Sequence, residues 1–201
     1  MLKINKQPTQ VSFRLFASFA VLAGVIGGGY IASLFVSPIA APLFATKPIN
    51  VQSLPTPKAS ENRLIIPKIG VNIPYDKGDE STLEAGGWWR NADQGNPVTG
   101  GNFVITAYKF KIQPTPLSTI EKSPLYNIDR LVVGDKLVVD YNGVRYGYEV
   151  DSVKPSPKTI AEIESPTDIA KLTIYTQESS TSAERIVMTA KALGKVDLSR
   201  R

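Results

Sequence analysis

The chain has 201 residues, 42% of them hydrophobic, a formal net charge of +5, and neither cysteine nor histidine. That length suits one domain plus an anchor. The missing cysteine excludes disulfides and thiolate attack, and the missing histidine removes the usual general base and the commonest zinc ligand, so Cys-His dyads, Ser-His-Asp triads and His-rich metal sites are excluded by composition alone.

The charge is uneven along the chain. Residues 1–61 carry Lys3, Lys6, Arg14, Lys47 and Lys58 against Glu61, a balance of +4, which leaves +1 for the remainder. The basicity belongs to the N-terminal segment, so no basic nucleic-acid-binding face is expected on the domain.

From Leu15 to Val36 runs LFASFAVLAGVIGGGYIASLFV, without a charge. As a helix it spans about 33 Å, enough for a hydrocarbon core of roughly 30 Å. Lys3, Lys6 and Arg14 precede it, which puts residues 1–14 in the cytoplasm and everything after Val36 outside. A signal peptide has a shorter apolar stretch, of about 7 to 15 residues. An uncleaved anchor over 15–36 is therefore expected, with cleavage near Ser37, Ala40 and Ala41 as the alternative. Gly24 and Gly27 to Gly29 read as small residues tolerated in a lone span. Residues 37–61 contain Pro38, Pro42, Pro48, Pro55 and Pro57, and read as a semi-extended spacer between membrane and domain. The domain itself is expected over 62–194, with a tail over 195–201.

Within the domain the patterns are those of strands. Arg63 to Pro67 and Val71 to Pro74 are short apolar runs ending in proline, which suggests positions near a sheet edge. Asn102 to Ala107 follows Gly100-Gly101 and reads as a buried strand. Lys136 to Tyr141 leads through Asn142-Gly143 into Val144 to Val150, the signature of a hairpin with a type I′ turn. In its second strand Val144, Tyr146, Tyr148 and Val150 share one face, and Arg145, Glu149 and Asp151 the other. Lys158 to Glu164 suggests a short helical turn, and Leu172 to Thr176 and Arg185 to Ala190 two further strands. Many short strands separated by turns imply a closed barrel or a sandwich.

Six segments, in order, resemble the sortase family, in the branch of classes D, E and F. They are Leu64-Ile-Ile-Pro-Lys-Ile-Gly70-Val71, Leu83-Glu-Ala-Gly-Gly87-Trp-Trp-Arg90, Gly101-Asn-Phe-Val-Ile-Thr-Ala-Tyr-Lys109, Leu131-Val-Val-Gly-Asp-Lys136, Tyr146-Gly-Tyr148-Glu-Val150 and Leu172-Thr-Ile-Tyr-Thr-Gln177. Arg185 follows at the family's usual spacing. The resemblance covers about 63–193. It implies an all-β fold, a closed eight-stranded barrel with short helices in its loops, preceded here by one transmembrane helix.

The resemblance also implies a chemistry. Sortases cut a Leu-Pro-x-Thr-Gly type signal and join it to an amine. A cysteine attacks, a histidine moves the proton, and an arginine donates to the oxyanion or the substrate backbone. In this chain Tyr108 stands at the histidine position and Gln177 at the cysteine position, while Arg185 is retained. A carboxamide is no nucleophile, and a phenol titrating near pH 10 is a poor relay at neutral pH. No intact catalytic set is expected. Tyr108, Thr176, Gln177 and Arg185 remain as candidate binding residues, for a sorting-signal-like peptide or an envelope protein, at the extracytoplasmic face of the cell membrane. The alternatives are a rewired transpeptidase or hydrolase using Ser179, Ser180, Thr181, Lys109 or Tyr108, and a structural envelope component. Arg185 has a structural alternative too, pairing with Glu178 or Glu184. Trp88-Trp89 divides naturally into one core residue and one at the barrel rim. Asp76, Asp79, Glu80 and Glu84 are acidic enough to raise calcium, but solvated loops are the simpler reading, and neither metal nor cofactor is expected.

Overall fold

The computed structural model describes residues 10–44, 47–177 and 185–197. The chain divides into two units, residues 1–37 and 38–201. Helix α1 runs Gln10–Phe44. In the first unit it exposes Phe16, Phe19, Leu22, Val25, Ile26 and Ile31 around its circumference. Among the described residues no helix is long and apolar enough to cross a membrane. The expected span over 15–36 takes in side chains outside the described set, and most of the cytoplasmic segment, 1–9, lies outside it as well.

The segment expected as a free spacer differs from expectation. Residues 37–44 are the last turns of α1, which continues through Pro38 and Pro42. Residues 47–61 then lie along the barrel as a strap. The N–H of Ile49 donates to the Pro67 carbonyl at 2.9 Å, and Arg145 donates to the Pro55 carbonyl at 3.1 Å. The first bond runs from a strap donor to a carbonyl of the barrel, and the second from a barrel donor to a proline carbonyl of the strap.

Nine strands follow: β1 (Arg63–Ile66), β2 (Val71–Lys77), β3 (Gly87–Arg90), β4 (Gly95–Asn96), β5 (Gly100–Tyr108), β6 (Lys136–Tyr141), β7 (Val144–Ser156), β8 (Lys171–Gln177) and β9 (Arg185–Lys195). Eight of them form a ring in the order β3-β2-β1-β6-β7-β9-β8-β5, which closes because β3 also pairs with β5. The two-residue β4 flanks β5. The barrel is therefore closed and eight-stranded, with short helices α2 (Pro116–Glu121) and α3 (Ile160–Ile163) in its loops.

The ring corrects the edge positions suggested for the two proline-ended strands, because β1 pairs with both β2 and β6, and β2 with both β1 and β3. Pro67 leaves β1 for a 3-10 turn. At Pro74 the geometry is more specific. The N–H of Tyr75 donates to the Asn62 carbonyl beside β1, so the nitrogen of Pro74 faces the other way. On that side pairing with β3 begins only at Tyr75, so no ladder bond is lost at the proline.

The hairpin forms as its sequence requires. Asn142 and Gly143 take φ of 48° and 79°, the two positive values of a type I′ turn. Tyr146, Tyr148 and Val150 enter the core with Leu64, Ile66, Phe103, Ile105, Leu172, Ile174 and Met188. Trp89 packs edge-on to Phe103 at 5.4 Å and to Tyr141 at 5.7 Å between ring centroids. Arg145 faces outward as the alternation demands, yet it is only 3% exposed. The strap covers it, and its guanidinium is held by Asp140 at 2.7 and 2.8 Å.

Candidate functional site

The side chains of β5 and β8 separate the barrel's inside from its outside. Phe103, Ile105, Ala107, Leu172 and Ile174 belong to the interior core. Val104 and Tyr175 form a second buried cluster on the outer face with Ile163 of α3. Residues of odd and even number alternate between the faces, so Tyr108 projects outward in line with Val104 and Thr106.

Segment 157–170 is fastened over this outer face by buried polar groups. Asn102 donates to the carbonyls of Ile163 and Ser165 at 3.0 and 2.9 Å. Its own amide oxygen accepts the Thr173 hydroxyl at 2.6 Å. Glu164 accepts from Arg90 at 2.6 and 3.2 Å, from Asn91 at 2.9 Å and from the Tyr175 hydroxyl at 2.7 Å. Burial, followed by the bond to Glu164, holds the Tyr175 phenol well above its ordinary range. α3 is started by a capping box in which Thr159 and Glu162 satisfy each other's backbone. The outer face below residue 106 is thus filled by the chain's own side chains, and open surface begins at the ends of β5 and β8.

Those ends bring together the three residues expected at the family's catalytic positions. Tyr108 and Gln177 are register partners at the last step of the parallel β5–β8 ladder. The antiparallel β8–β9 register ends with Tyr175 opposite Val187, and Arg185 opens β9 two residues before Val187. On its other side Arg185 pairs with Ser156 of β7. Tyr108, Gln177 and Arg185 therefore stand on three adjacent strands at one end of the barrel. For Gln177 the backbone alone is described. Residues 178–184, with Glu178, Ser179, Ser180, Thr181 and Glu184, lie outside the described residues. Thr176 departs from the expected binding set. It is fully buried, and its hydroxyl accepts the Ile186 N–H at 3.0 Å, so it serves the strand pair.

Around Tyr108 is a charged cluster that sequence reasoning did not assemble. The Tyr108 hydroxyl donates to Glu84 Oε1 at 3.4 Å. Lys111 Nζ donates to both that hydroxyl and Glu84, and lies 4.5 Å from the centroid of the Tyr108 ring. Lys122 approaches Glu84 Oε2 at 3.5 Å. The hydrogen bond from Lys111 holds the Glu84 carboxyl below the usual carboxylate range, and the same bond raises the Lys111 ammonium. One carboxylate thus faces two cations. Glu84 is committed to lysines, and Asp79 to Ser81, where it caps a 3-10 turn. A cleft of about 190 Å³ opens beside the cluster, lined by Leu83, Glu84, Gly86 and Lys122. Through Ile73, Glu121 and Pro124 it adjoins a second of about 250 Å³.

Arg185 contrasts with three other arginines of the domain. Arg63, Arg90 and Arg145 are each held by a carboxylate. Arg185 is half-buried and its Nε is sealed from solvent, with no acceptor among the described residues.

The sortase domain pattern matches residues 64–193. The chain belongs to the sortase family. Solved sortases are similar in fold. Sortase C1 of GBS pilus island 1 has 19% identity and a TM-score of 0.57, covering 85% of this chain and 86% of that one. The Clostridium perfringens sortase D5 transpeptidase has 23% identity and a TM-score of 0.52, covering 67% of this chain and 79% of that one. Listeria monocytogenes sortase A has 20% identity and a TM-score of 0.52, covering 68% and 90%. No curated protein matches. Within the sortase barrel, Trp89 is the core residue of its pair. Trp88 lies at the rim, donating to the Gly78 carbonyl at 3.0 Å beneath the guanidinium of Arg90.

Proposed function

We propose that this sortase-family protein is membrane-anchored, faces outward, and binds a sorting-signal-like peptide or an envelope partner without cutting it. One observation carries the reading: the chain has no cysteine and no histidine, and Tyr108 and Gln177, which the resemblance sets at the family's histidine and cysteine positions, are partners on neighbouring strand ends. With no thiolate there is no thioester, and with no imidazole there is no relay for the leaving amine. Removal of a nucleophile alone costs several orders of magnitude in rate. The clefts beside Glu84, and an Arg185 whose Nε has no acceptor among the described residues, favour retained binding over a decayed surface. An apolar helix exposing phenylalanine, leucine and isoleucine on all sides suits lipid better than water, which supports the anchor.

The experiment is to compare the unmodified chain with a Tyr108→His, Gln177→Cys double substitution on a fluorogenic sorting peptide. No turnover in the first and measurable turnover in the second is the expected result. Turnover by the unmodified chain, abolished by Ser180→Ala, would instead establish rewired serine chemistry. A double variant that folds but neither binds nor cuts would point to a purely structural role.

A further inference from the structure

We propose that the site takes a peptide ending in a free carboxylate, and that Arg185 is the residue that holds this group. The inference rests on the peptide-binding reading above and names the class of its ligand.

The starting observation is the state of Arg185. A guanidinium presents five N–H donors in a planar fork. Three such forks in this domain meet an acidic side chain: Arg63 meets Glu61, Arg90 meets Glu164 and Arg145 meets Asp140. Arg185 meets none among the described residues, and its Nε is shut away from water without an acceptor. A buried donor left unmade carries a free-energy cost, which a ligand can remove.

The next question is which acceptor fits. In a sortase that cuts, the resemblance implies that the arginine serves an oxyanion that exists only during reaction. No such oxyanion forms in a chain without a nucleophile. A permanent acceptor is needed, and a carboxylate supplies one with the same charge. Its two coplanar oxygens match the guanidinium fork and give charge-assisted bonds roughly twice as strong as neutral ones. The carbonyl of an internal peptide bond offers one uncharged oxygen.

Among the described residues the surroundings do not oppose an anion. Near Tyr108 the carboxylate of Glu84 is already engaged by Lys111 and Lys122, two cations on one anion. Strands about 4.8 Å apart place the Cα atoms of Tyr108 and Arg185, two strands away, about 10 Å from each other. Three extended residues, at about 3.3 Å each, cover that distance. A C-terminal segment with its carboxylate at Arg185 therefore reaches the Tyr108 cluster, and the chain leads on toward the cleft beside Glu84.

The test uses the full chain in detergent micelles and two probes, fluorescein-labelled Leu-Pro-Ala-Thr as the free acid and the same peptide amidated. Fluorescence anisotropy is expected to show the acid binding about tenfold more tightly than the amide. Arg185→Gln should remove that preference, and Arg185→Lys should keep part of it. Circular dichroism serves to establish that both variants fold. Equal binding of acid and amide would overturn the carboxylate assignment and leave peptide binding standing. Binding of neither probe would overturn both.

Discussion

The carboxylate of Glu164 accepts a hydrogen bond from Arg90 Nε at 2.6 Å, across 74 positions of sequence. It ties segment 157–170 to the strand that closes the barrel. Glu164 is 5% exposed, and its carboxylate accepts from Arg90, Asn91 and Tyr175. Glu164→Ala would leave a charged guanidinium and a buried phenol without their acceptor. The expected loss is about 3 kcal/mol of unfolding free energy, read from urea denaturation of the full chain. Amide exchange over 157–170 should accelerate more than exchange in β6.

Asp140 and Arg145 form the most buried ion pair among the described residues, with side chains 4% and 2% exposed. One guanidinium nitrogen, Nη1, has no acceptor among the described residues. Desolvation thus offsets much of the attraction. Asp140→Ala should cost about 3 to 5 kcal/mol, because it strands a buried charge. Replacing both partners by leucine and methionine should cost far less. A double-mutant cycle in urea measures the difference.

Glu84 titrates below the ordinary carboxylate range because Lys111 donates to it. A depressed folded pKa means that its contribution to stability is present above the unfolded value and is lost as pH falls through the folded one. Lys111→Met should move the Glu84 midpoint back toward the ordinary range. Carboxyl-carbon NMR titration of the two proteins detects the shift. A midpoint unchanged by the substitution would show that Lys111 is not its cause.

Gly101, the second residue of the core strand β5, has φ of 77°, and a Cβ there would come within 2.3 Å of the Gln94 carbonyl oxygen. That oxygen is backbone and cannot swing aside. Gly101→Ala should cost about 1 to 3 kcal/mol and lower the thermal midpoint, without altering the site end of the barrel.

Much of this was legible where the signal was local. The Asn142-Gly143 turn, the inward face of β7 and the helical turn begun by Thr159 all rest on neighbours in sequence. Strand β3 was not read as a strand, since four residues of Gly-Trp-Trp-Arg carry no alternation to reveal a buried face. Arg145 was placed on the correct side of its strand, but alternation knows nothing of a strap that arrives from 90 positions away to cover it. The same holds for the site. Tyr108, Gln177 and Arg185 were found by resemblance. Glu84, Lys111 and Lys122 were missed as a group because Glu84 meets Tyr108 and Lys122 across 24 and 38 positions, and no spacing rule links them.

The closure of the ring by β3 restricts what a partner can do. Each of the eight ring strands has a neighbour on both sides over at least part of its length, so the backbone N–H and C=O groups of those stretches are already taken. Strand addition is closed there, and among the described residues it is left mainly to the far half of β7, where Ser152–Ser156 pair with β9 alone. A ligand at the Tyr108 end is then read chiefly by side chains and loop backbone, and its affinity will depend on a few groups there instead of on the length of chain it offers.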